Sequence, residues 1–349
     1  MGRGQNETTT ALTPAMNHPI VVIGASAGGV PALTTLVAGL PSDFGAAVYI
    51  VLHIPAQSPS RLNDILDRHS ALPVSAARDG DPIRPGHIVV AVADRHLMID
   101  VDKIRVTRGP KESRVRPAVD VLFRSAAASF GPQVIGVVLS GTLDDGTAGL
   151  WAIKDRGGLA LVQDPKTAEF PSMPESASRY VKVDAVLPVG PLALELVRRV
   201  KNMPAKDVAG PVPDRMKVEN LIAREGNGLQ AGSLELGDKS KYTCPECHGA
   251  LVEIKEGKIV RFRCHTGHAF TIKSLLADVT DAIDTGLWDT LRAVEERILL
   301  LRQIEEMARL DGAIKEAEHS ADHAHAAEER VELLRSMLMD GKMSGPLPD

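Results

Sequence analysis

Residues 21–30, VVIGASAGGV, decide the fold of this chain. The run that begins at Ile20 is apolar and β-branched, as in a strand buried on both faces. The small residues that follow allow a sharp turn, and residues 29–39 then have a helical pattern. A strand, a glycine-rich turn and a helix make the first step of a βαβ fold. This turn brings the hydroxyl of Ser26 to the edge of the predicted sheet.

The alternation of strands and helices continues to about residue 200. Strands are predicted at 20–23, 47–53, 74–77, 87–91, 134–139, 159–162 and 185–187, and helices include 29–39, 61–69, 118–128 and 146–156. One hairpin, 97–100 with 103–107, interrupts the pattern. Alternation of this kind predicts an α/β fold with a doubly wound, mostly parallel sheet and helices on both faces.

Three of the turns after these strands carry reactive side chains. Ser26 follows the first strand, His53 lies in VLHIP at 51–55, and Asp145 lies in SGTLDDG at 140–146. Ligands of open α/β sheets bind at the carboxyl ends of the strands, so the three should converge on one edge. A serine, a histidine and an aspartate there can act as nucleophile, base and acid. Asp144 competes with Asp145 for the role of the acid. The alternative roles are helix capping for either aspartate and packing for His53.

Several ordered motifs make residues 18–200 resemble the CheB-type chemotaxis receptor protein-glutamate methylesterases. They are VVIGASAGGV (21–30), HIP (53–55), RDG to PG (78–86), DRHL (94–97), RPAVDVLF (116–123), LSG to G (139–149), QD (163–164) and MP (173–174). The resemblance implies a hydrolase that removes methyl groups from γ-glutamyl methyl esters of chemoreceptors and releases methanol. Some members also deamidate receptor glutamines.

The resemblance also assigns roles to residues of this chain. It implies Ser26 as nucleophile, His53 as base and Asp145 as acid, with the backbone N–H groups of Ala27 and Thr142 as oxyanion donors. It implies no cofactor for catalysis. The expected partner is the methylated cytoplasmic domain of a chemoreceptor.

Two departures from the family pattern keep other functions open. TLDD at 142–145 stands where the family more often has MGND, and only 17 residues precede the predicted catalytic domain. We therefore expect no receiver domain and no regulation by aspartyl phosphorylation within this chain. One alternative is a non-catalytic signalling adaptor that binds a receptor or another partner through the hydrolase-like domain and the C-terminal module. Another is a nucleotide-binding domain, although Ser26 stands where the dinucleotide motif needs its second glycine.

The three cysteines lie in CPEC at 244–247 and CHTGH at 264–268, which have zinc-ribbon spacing. The expected ligands of a structural zinc are Cys244, Cys247, Cys264 and His268, with His265 as the rival fourth ligand and His248 less favoured. The segment also resembles the zinc-ribbon-like tail of some stand-alone CheB-like proteins. The alternative is a metal-free remnant held by its few apolar residues.

These patterns divide the chain into six predicted segments. They are a disordered tail at 1–17, the catalytic domain at 18–200, a linker at 201–241, the zinc-ribbon-like module at 242–270, a helical hairpin at 271–340 and a second disordered tail at 341–349. In the hairpin, apolar residues recur at three- and four-residue steps, which indicates packing, self-association or partner binding.

Composition and charge restrict the remaining function classes. The net charge is −5 and aromatic residues make up 3% of the chain, so we expect no nucleic-acid partner. No apolar run reaches the length of a membrane span and no signal peptide is recognisable, so we expect no membrane insertion and a cytoplasmic location. Residues 103–116 hold six basic residues against one acid. They form either a solvated loop or a docking surface for an acidic receptor helix bundle.

Overall fold

The computed structural model describes residues 18–204 and 210–339. The predicted tails at 1–17 and 341–349 lie outside these residues. The described residues up to Ile272 form one compact unit, and those from Lys273 form a second. Of the helices in the described part of the chain, none has the length and apolar character needed to cross a membrane.

The first unit is built on a parallel sheet of seven strands. In chain order its strands are β1 (Ile20–Ala25), β2 (Ala47–Leu52), β3 (Val74–Ala76), β4 (Ile88–Val90), β7 (Val134–Val138), β8 (Leu159–Gln163) and β9 (Ala185–Leu187). Between β4 and β7, the strands β5 (His96–Ile99) and β6 (Ile104–Thr107) form a separate antiparallel hairpin. The sheet order is β3-β4-β2-β1-β7-β8-β9. The predicted α/β fold with a doubly wound parallel sheet is confirmed.

Helices cover both faces of the sheet. They are α1 (Gly29–Ala38), α2 (Leu62–Asp67), α3 (Val119–Phe130), α4 (Thr147–Asp155), α5 (Ser172–Tyr180) and α6 (Val189–Lys201). Successive residues of β1 point to opposite faces, as strand geometry requires. Val22 packs in one apolar cluster with Leu122 of α3, and Ile23 packs in a second cluster with Leu33 of α1. This two-sided burial explains the continuous apolar run in the sequence.

The strand order reverses at the centre of the sheet. From β1 the chain builds β2, β4 and β3 on one side, and it returns to add β7, β8 and β9 on the other. The crevice at the carboxyl ends of β1 and β7 is therefore the topological switch point, where open α/β sheets bind ligands.

The remainder of the first unit contains two helices and a small antiparallel sheet. The helices are α7 (Asp214–Glu225) and α8 (Gly228–Ala231), and the strands are β10 (Asp238–Thr243), β11 (Ala250–Glu256), β12 (Ile259–Cys264) and β13 (Ala269–Thr271), paired in that order. Helix α7 and the start of β10 fall within the stretch predicted as a linker. The predicted segment boundaries stay predictions.

Helix α7 packs tightly against the catalytic domain. Ala223 lies in a buried cluster with Val121 of α3, and its carbonyl accepts a hydrogen bond of 2.7 Å from the hydroxyl of Thr107. The loop after β6 passes so close that a Cβ atom at Gly109 would collide with the backbone of Ala223. Only glycine fits such an approach.

The second unit consists of two helices. Helix α9 (Ile272–Leu310) and helix α10 (Ile314–Met339) are separated by a turn at Gly312, which has a φ of 74°. Ion pairs join Arg302 to Glu328 at 3.0 Å and Arg335 to Glu295 at 2.5 Å, so the two helices run antiparallel. The prediction of C-terminal helices is confirmed.

Candidate active site and metal centre

Main-chain hydrogen bonds tie the three predicted catalytic turns together at the switch point. The N–H of Ser26 donates to the carbonyl of Ser140 at 2.9 Å, and the N–H of His53 donates to the carbonyl of Ala25 at 3.1 Å. A Cβ atom at Gly141 would lie 2.8 Å from the Cβ of Ser26. The glycine therefore allows the turn after β7 to pass directly beside the serine.

His53 and Asp145 form a direct hydrogen bond. Nε2 of His53 lies 2.8 Å from Oδ2 of Asp145, which is buried. A carboxylate only accepts hydrogen bonds, so the imidazole proton is on Nε2 and the lone pair is on Nδ1. Of the two aspartates in this turn, the structure brings Asp145 to the histidine. Asp144 instead accepts a hydrogen bond of 2.7 Å from Thr271.

The carboxylate of Asp145 is held by the amino end of α3. Oδ2 accepts a hydrogen bond from the N–H of Val119 at 2.6 Å, and Oδ1 accepts from Asp120 and Gly146, both at 3.0 Å. The amino end of a helix carries free N–H groups and a partial positive charge. These contacts fix the orientation of the carboxylate.

A second carboxyl group, Asp120, is buried next to Asp145. Its Oδ1 accepts hydrogen bonds from Gly146 at 2.9 Å and Gly149 at 2.6 Å. Burial and the neighbouring Asp145 raise the pKa of Asp120 well above its usual range. Two adjacent buried carboxyl groups do not both ionise readily, so Asp120 favours its neutral form. Sequence reasoning did not single out Asp120, although it lies in the RPAVDVLF motif.

Ser26, His53 and Asp145 line one cavity of ≈ 290 Å³. Thr142 and Leu143 also line it, and Ala27, the other oxyanion candidate, directly follows Ser26. Small-molecule sites usually measure about 300–1,000 Å³, so this cavity is at the small end of that range.

Leu143 departs from the usual backbone conformation at this turn. Its φ is 61°, in the left-handed region that favours glycine. The family pattern MGND has a glycine at this position, and a leucine there costs about 1–2 kcal/mol. The cost indicates that the surrounding contacts impose the conformation of the turn.

Part of the basic stretch at residues 103–116 lies beside His53. A second cavity of ≈ 440 Å³ is lined by His53, Lys111, Arg114 and other residues. Asp94 forms ion pairs with Arg108 at 3.0 Å and with Arg116 at 2.5 Å. Part of the positive charge is therefore already neutralised within the domain.

Comparison with known proteins agrees with this geometry. The family model described as CheB methylesterase matches residues 21–196, just over half of the chain. The chain belongs to the CheB methylesterase family. The predicted family is thus confirmed, and the matched residues include all three members of the Ser26, His53 and Asp145 set.

Individual relatives show how much of the chain the CheB family accounts for. A protein of Leptospira interrogans serovar copenhageni, provisionally named protein-glutamate methylesterase/protein-glutamine glutaminase, is 39% identical over 188 residues, which are 54% of this chain and 97% of that protein. Protein-glutamate methylesterase/protein-glutamine glutaminase 3 of Burkholderia orbicola is 36% identical over 207 residues, 57% of this chain but only 61% of that protein.

A solved structure gives the same fold. The crystal structure of the Thermotoga maritima CheB methylesterase catalytic domain is 33% identical and superimposes with a TM-score of 0.51. The match covers 52% of this chain and 99% of that domain. The CheB fold therefore accounts for the α/β part of the first unit.

The structure also brings the four predicted metal ligands of this CheB-family chain together. The ligand atoms of Cys244, Cys247, Cys264 and His268 all lie within 4.8 Å of one another. The sulfurs of Cys247 and Cys264 are 3.6 Å apart, and Nδ1 of His268 lies 3.7 Å from the sulfur of Cys244. A zinc tetrahedron with Zn–S bonds of about 2.3 Å has edges of about 3.7 Å, so the residues fit this metal.

Two neighbours of the cluster clarify the choice of ligand. The ring of His265, the rival candidate, packs against Gly249 and is outside the cluster. The hydroxyl of Thr266 donates to the sulfur of Cys247 at 3.2 Å and lies 2.9 Å from that of Cys264. Sequence reasoning missed Thr266, although it lies inside CHTGH; hydroxyl contacts of this kind stabilise thiolate ligands.

Proposed function

We propose that this chain is a serine hydrolase that demethylates γ-glutamyl methyl esters of chemoreceptors, releases methanol and also deamidates receptor glutamines. The observation that carries the proposal is the hydrogen bond between His53 and Asp145 in one cavity with Ser26. Membership of the CheB methylesterase family and the names of the relatives support the choice of substrate. We propose the cytoplasmic domain of a methylated receptor as the partner and the cytoplasm as the location of the enzyme.

Each residue has a defined role in this reaction. Oγ of Ser26 attacks the ester carbonyl while Nδ1 of His53 takes its proton, and Asp145 stabilises the resulting imidazolium. The N–H groups of Ala27 and Thr142 stabilise the oxyanion. The C–O bond then breaks, and methanol leaves with the proton from His53. Water, activated by the same histidine, hydrolyses the acyl-serine to the receptor glutamate and frees Ser26.

Methanol release from methylated receptor membranes tests the proposal. Wild-type protein and Ser26→Ala are compared at equal concentration, and circular dichroism establishes that both are folded. We expect release by the wild type and loss of about 10³-fold or more in the variant, because no neighbouring group replaces the nucleophile.

The opposite result favours the adaptor. If folded wild-type protein releases no more methanol than Ser26→Ala, the chain is not an esterase on this substrate. Binding of the same receptor membranes by both proteins would then identify a non-catalytic receptor-binding protein.

We also propose that Cys244, Cys247, Cys264 and His268 hold a structural zinc ion. Three sulfurs and one imidazole nitrogen at tetrahedral spacing match the donor set of closed zinc sites. A closed site of four protein ligands leaves no position for substrate, so the metal would stabilise the fold of the zinc-ribbon-like module.

Elemental analysis of protein purified without added metal tests this site. We expect about one zinc per chain in the wild type and in His265→Asn, and about half an equivalent or less in Cys244→Ser, because structural zinc binds too tightly to be lost in purification. Zinc below about half an equivalent in the wild type, or loss on substitution of His265, contradicts the proposed ligand set.

A further inference from the structure

One wall of the candidate active site is a short loop, residues 111–115, which we call the pocket loop. Ser113, Arg114 and Val115 of this loop line the same cavity as Ser26. Ser113 has a φ of 50° and Arg114 a φ of 73°, both in the left-handed region. Two consecutive residues in this conformation persist only where the surroundings hold them.

In the structure the zinc-ribbon-like module comprises the small sheet β10–β13, residues 238–271. Its last strand, β13, holds the main chain of the pocket loop. The N–H of Ser113 donates to the carbonyl of Ala269 at 2.8 Å, and the N–H of Ala269 donates to the carbonyl of Lys111 at 3.2 Å. The ammonium group of Lys111 also pairs with Glu246 of the module at 2.7 Å. The pocket loop therefore extends the small sheet at its β13 edge.

A buried charge cluster anchors the middle of the pocket loop. Its members come from the catalytic domain, helix α7 and strand β12, and each is nearly inaccessible to solvent: Glu112, Arg124, Glu219, Arg261 and Arg263. Glu112 pairs with Arg124 and with Arg263, both at 2.8 Å. Burial alone would raise the pKa of Glu112, but the guanidinium groups of Arg124 and Arg263 lower it to about 2. Buried ions require partners of this kind, so displacement of the loop would leave buried charges unpaired.

The module also contacts the catalytic turn. The hydroxyl of Thr271, the last residue of β13, donates to Oδ1 of Asp144 at 2.7 Å. Asp144 immediately precedes Asp145 and follows Leu143, whose left-handed backbone is imposed by its surroundings. Thr271 therefore fixes the turn that supplies the acid.

We propose that the zinc-ribbon-like module is a positioning element of the hydrolase pocket, which orders the pocket loop through Arg263 and β13 and the catalytic turn through Thr271. The inference rests on the proposed function, because it concerns the efficiency of that reaction. Arg263 also donates to the carbonyl of Gly267 at 2.8 Å. This links the pocket loop to the knuckle that carries Cys264 and His268.

The full-length chain with single substitutions at Thr271 tests the inference. Thr271→Val removes the hydroxyl, Thr271→Ser restores it, and Thr243→Val is the matched control on the exposed strand β10 of the same module. The readouts are hydrogen exchange of residues 111–115 and 142–145, and kcat and KM for p-nitrophenyl acetate. For Thr271→Val we expect faster exchange in residues 142–145, which the hydroxyl contacts, and a kcat lower by about tenfold, since small misplacements of catalytic groups have effects of this order. Exchange of residues 111–115, which Arg263 and β13 hold, should stay close to that of the wild type.

KM for this small ester should change by less than about twofold, and Thr271→Ser and Thr243→Val should match the wild type. Unchanged exchange and kcat in Thr271→Val would overturn the inference, as would a loss of kcat that Thr271→Ser does not rescue. If wild type and Ser26→Ala release equal amounts of methanol from receptor membranes, the proposed function fails instead. Exchange of residues 142–145 then decides by itself whether Thr271 orders the catalytic turn.

Discussion

At the scale of single residues, two aspartates with similar surroundings have different electrostatic roles. Asp145 accepts hydrogen bonds from His53 and the amino end of α3. Asp120 accepts from two glycine N–H groups and has a raised pKa. One carboxyl group thus orients the histidine while its neighbour favours the neutral form.

Replacing these two aspartates in turn should separate their roles. Asp145→Asn should lower kcat by about 10³–10⁴-fold, because an amide cannot stabilise the imidazolium. Asp120→Asn should retain kcat within about threefold, because an amide resembles the neutral carboxyl group. Steady-state hydrolysis of p-nitrophenyl acetate measures both, and equal losses in the two variants would contradict the assignment.

The pH dependence of stability should also show that the pKa of Asp120 is raised in the native state. Its pKa is raised in the native state, so folding favours the protonated carboxyl group. This contribution to the free energy of unfolding is fully present below the pKa of the unfolded state, about 3.9, and decreases as pH rises toward the native-state pKa of Asp120. Asp120→Asn removes the dependence, so the free energy of unfolding of the variant, relative to wild type, should increase from pH 4 to pH 7. Urea unfolding at both pH values measures the difference, and a constant difference would exclude a raised pKa.

At the scale of elements, Glu219 of helix α7 lies between Arg124 of the catalytic domain and two arginines of the zinc-ribbon-like module. Glu219 pairs with Arg261 at 2.6 Å and with Arg263 at 2.8 Å, and all three are buried. This helix falls within the segment predicted as a linker, and its attachment to the other elements was not predictable from the sequence. Long-range ion pairs leave no local periodicity, and proline and glycine around the helix suggested a linker.

Removing the charge of Glu219 should therefore destabilise the first unit strongly. Arg261 keeps Glu256 and Arg263 keeps Glu112 as partners in Glu219→Gln, but the buried cluster loses one negative charge and is no longer balanced. We expect the free energy of unfolding to fall by about 3–5 kcal/mol. Glu225→Gln, an exposed position on the same helix, should change it by less than about 0.5 kcal/mol. Denaturant unfolding of both variants checks the expectation, and equal small effects would show that the cluster contributes little.

At the scale of the whole molecule, the sequence predicted the parallel sheet, the two C-terminal helices and the candidate catalytic residues. Those predictions rest on local signals, such as the apolar run at 20–23 and the turns after the strands. The contact between the pocket loop and β13 was not predictable in this way. It joins Ser113 to Ala269, two residues far apart in the chain, and neither belongs to a motif.

Two truncated chains should show that the stability of the catalytic domain depends on the zinc-ribbon-like module. A chain of residues 18–272 keeps the whole first unit and should melt like the corresponding transition of the full-length protein. A chain of residues 18–204 loses Glu219, Arg261 and Arg263, so Glu112 and Arg124 lose part of their charge partners. We expect its melting temperature to fall by about 10 °C or more, as a loss of several kcal/mol implies. Differential scanning calorimetry compares them, and equal melting temperatures would contradict the dependence.

The ion pair between Glu112 and Arg263 has a consequence for biosynthesis. Its partners are separated by 151 positions in the chain. At translation rates of about 5–20 residues per second, the ribosome needs roughly 8–30 s to reach Arg263 after adding Glu112. Once Asp145 has been added within that interval, the nascent chain contains Ser26, His53 and Asp145, but the anchor of the pocket loop has still not been made. Completion of the pocket is thus delayed until the second half of the chain emerges.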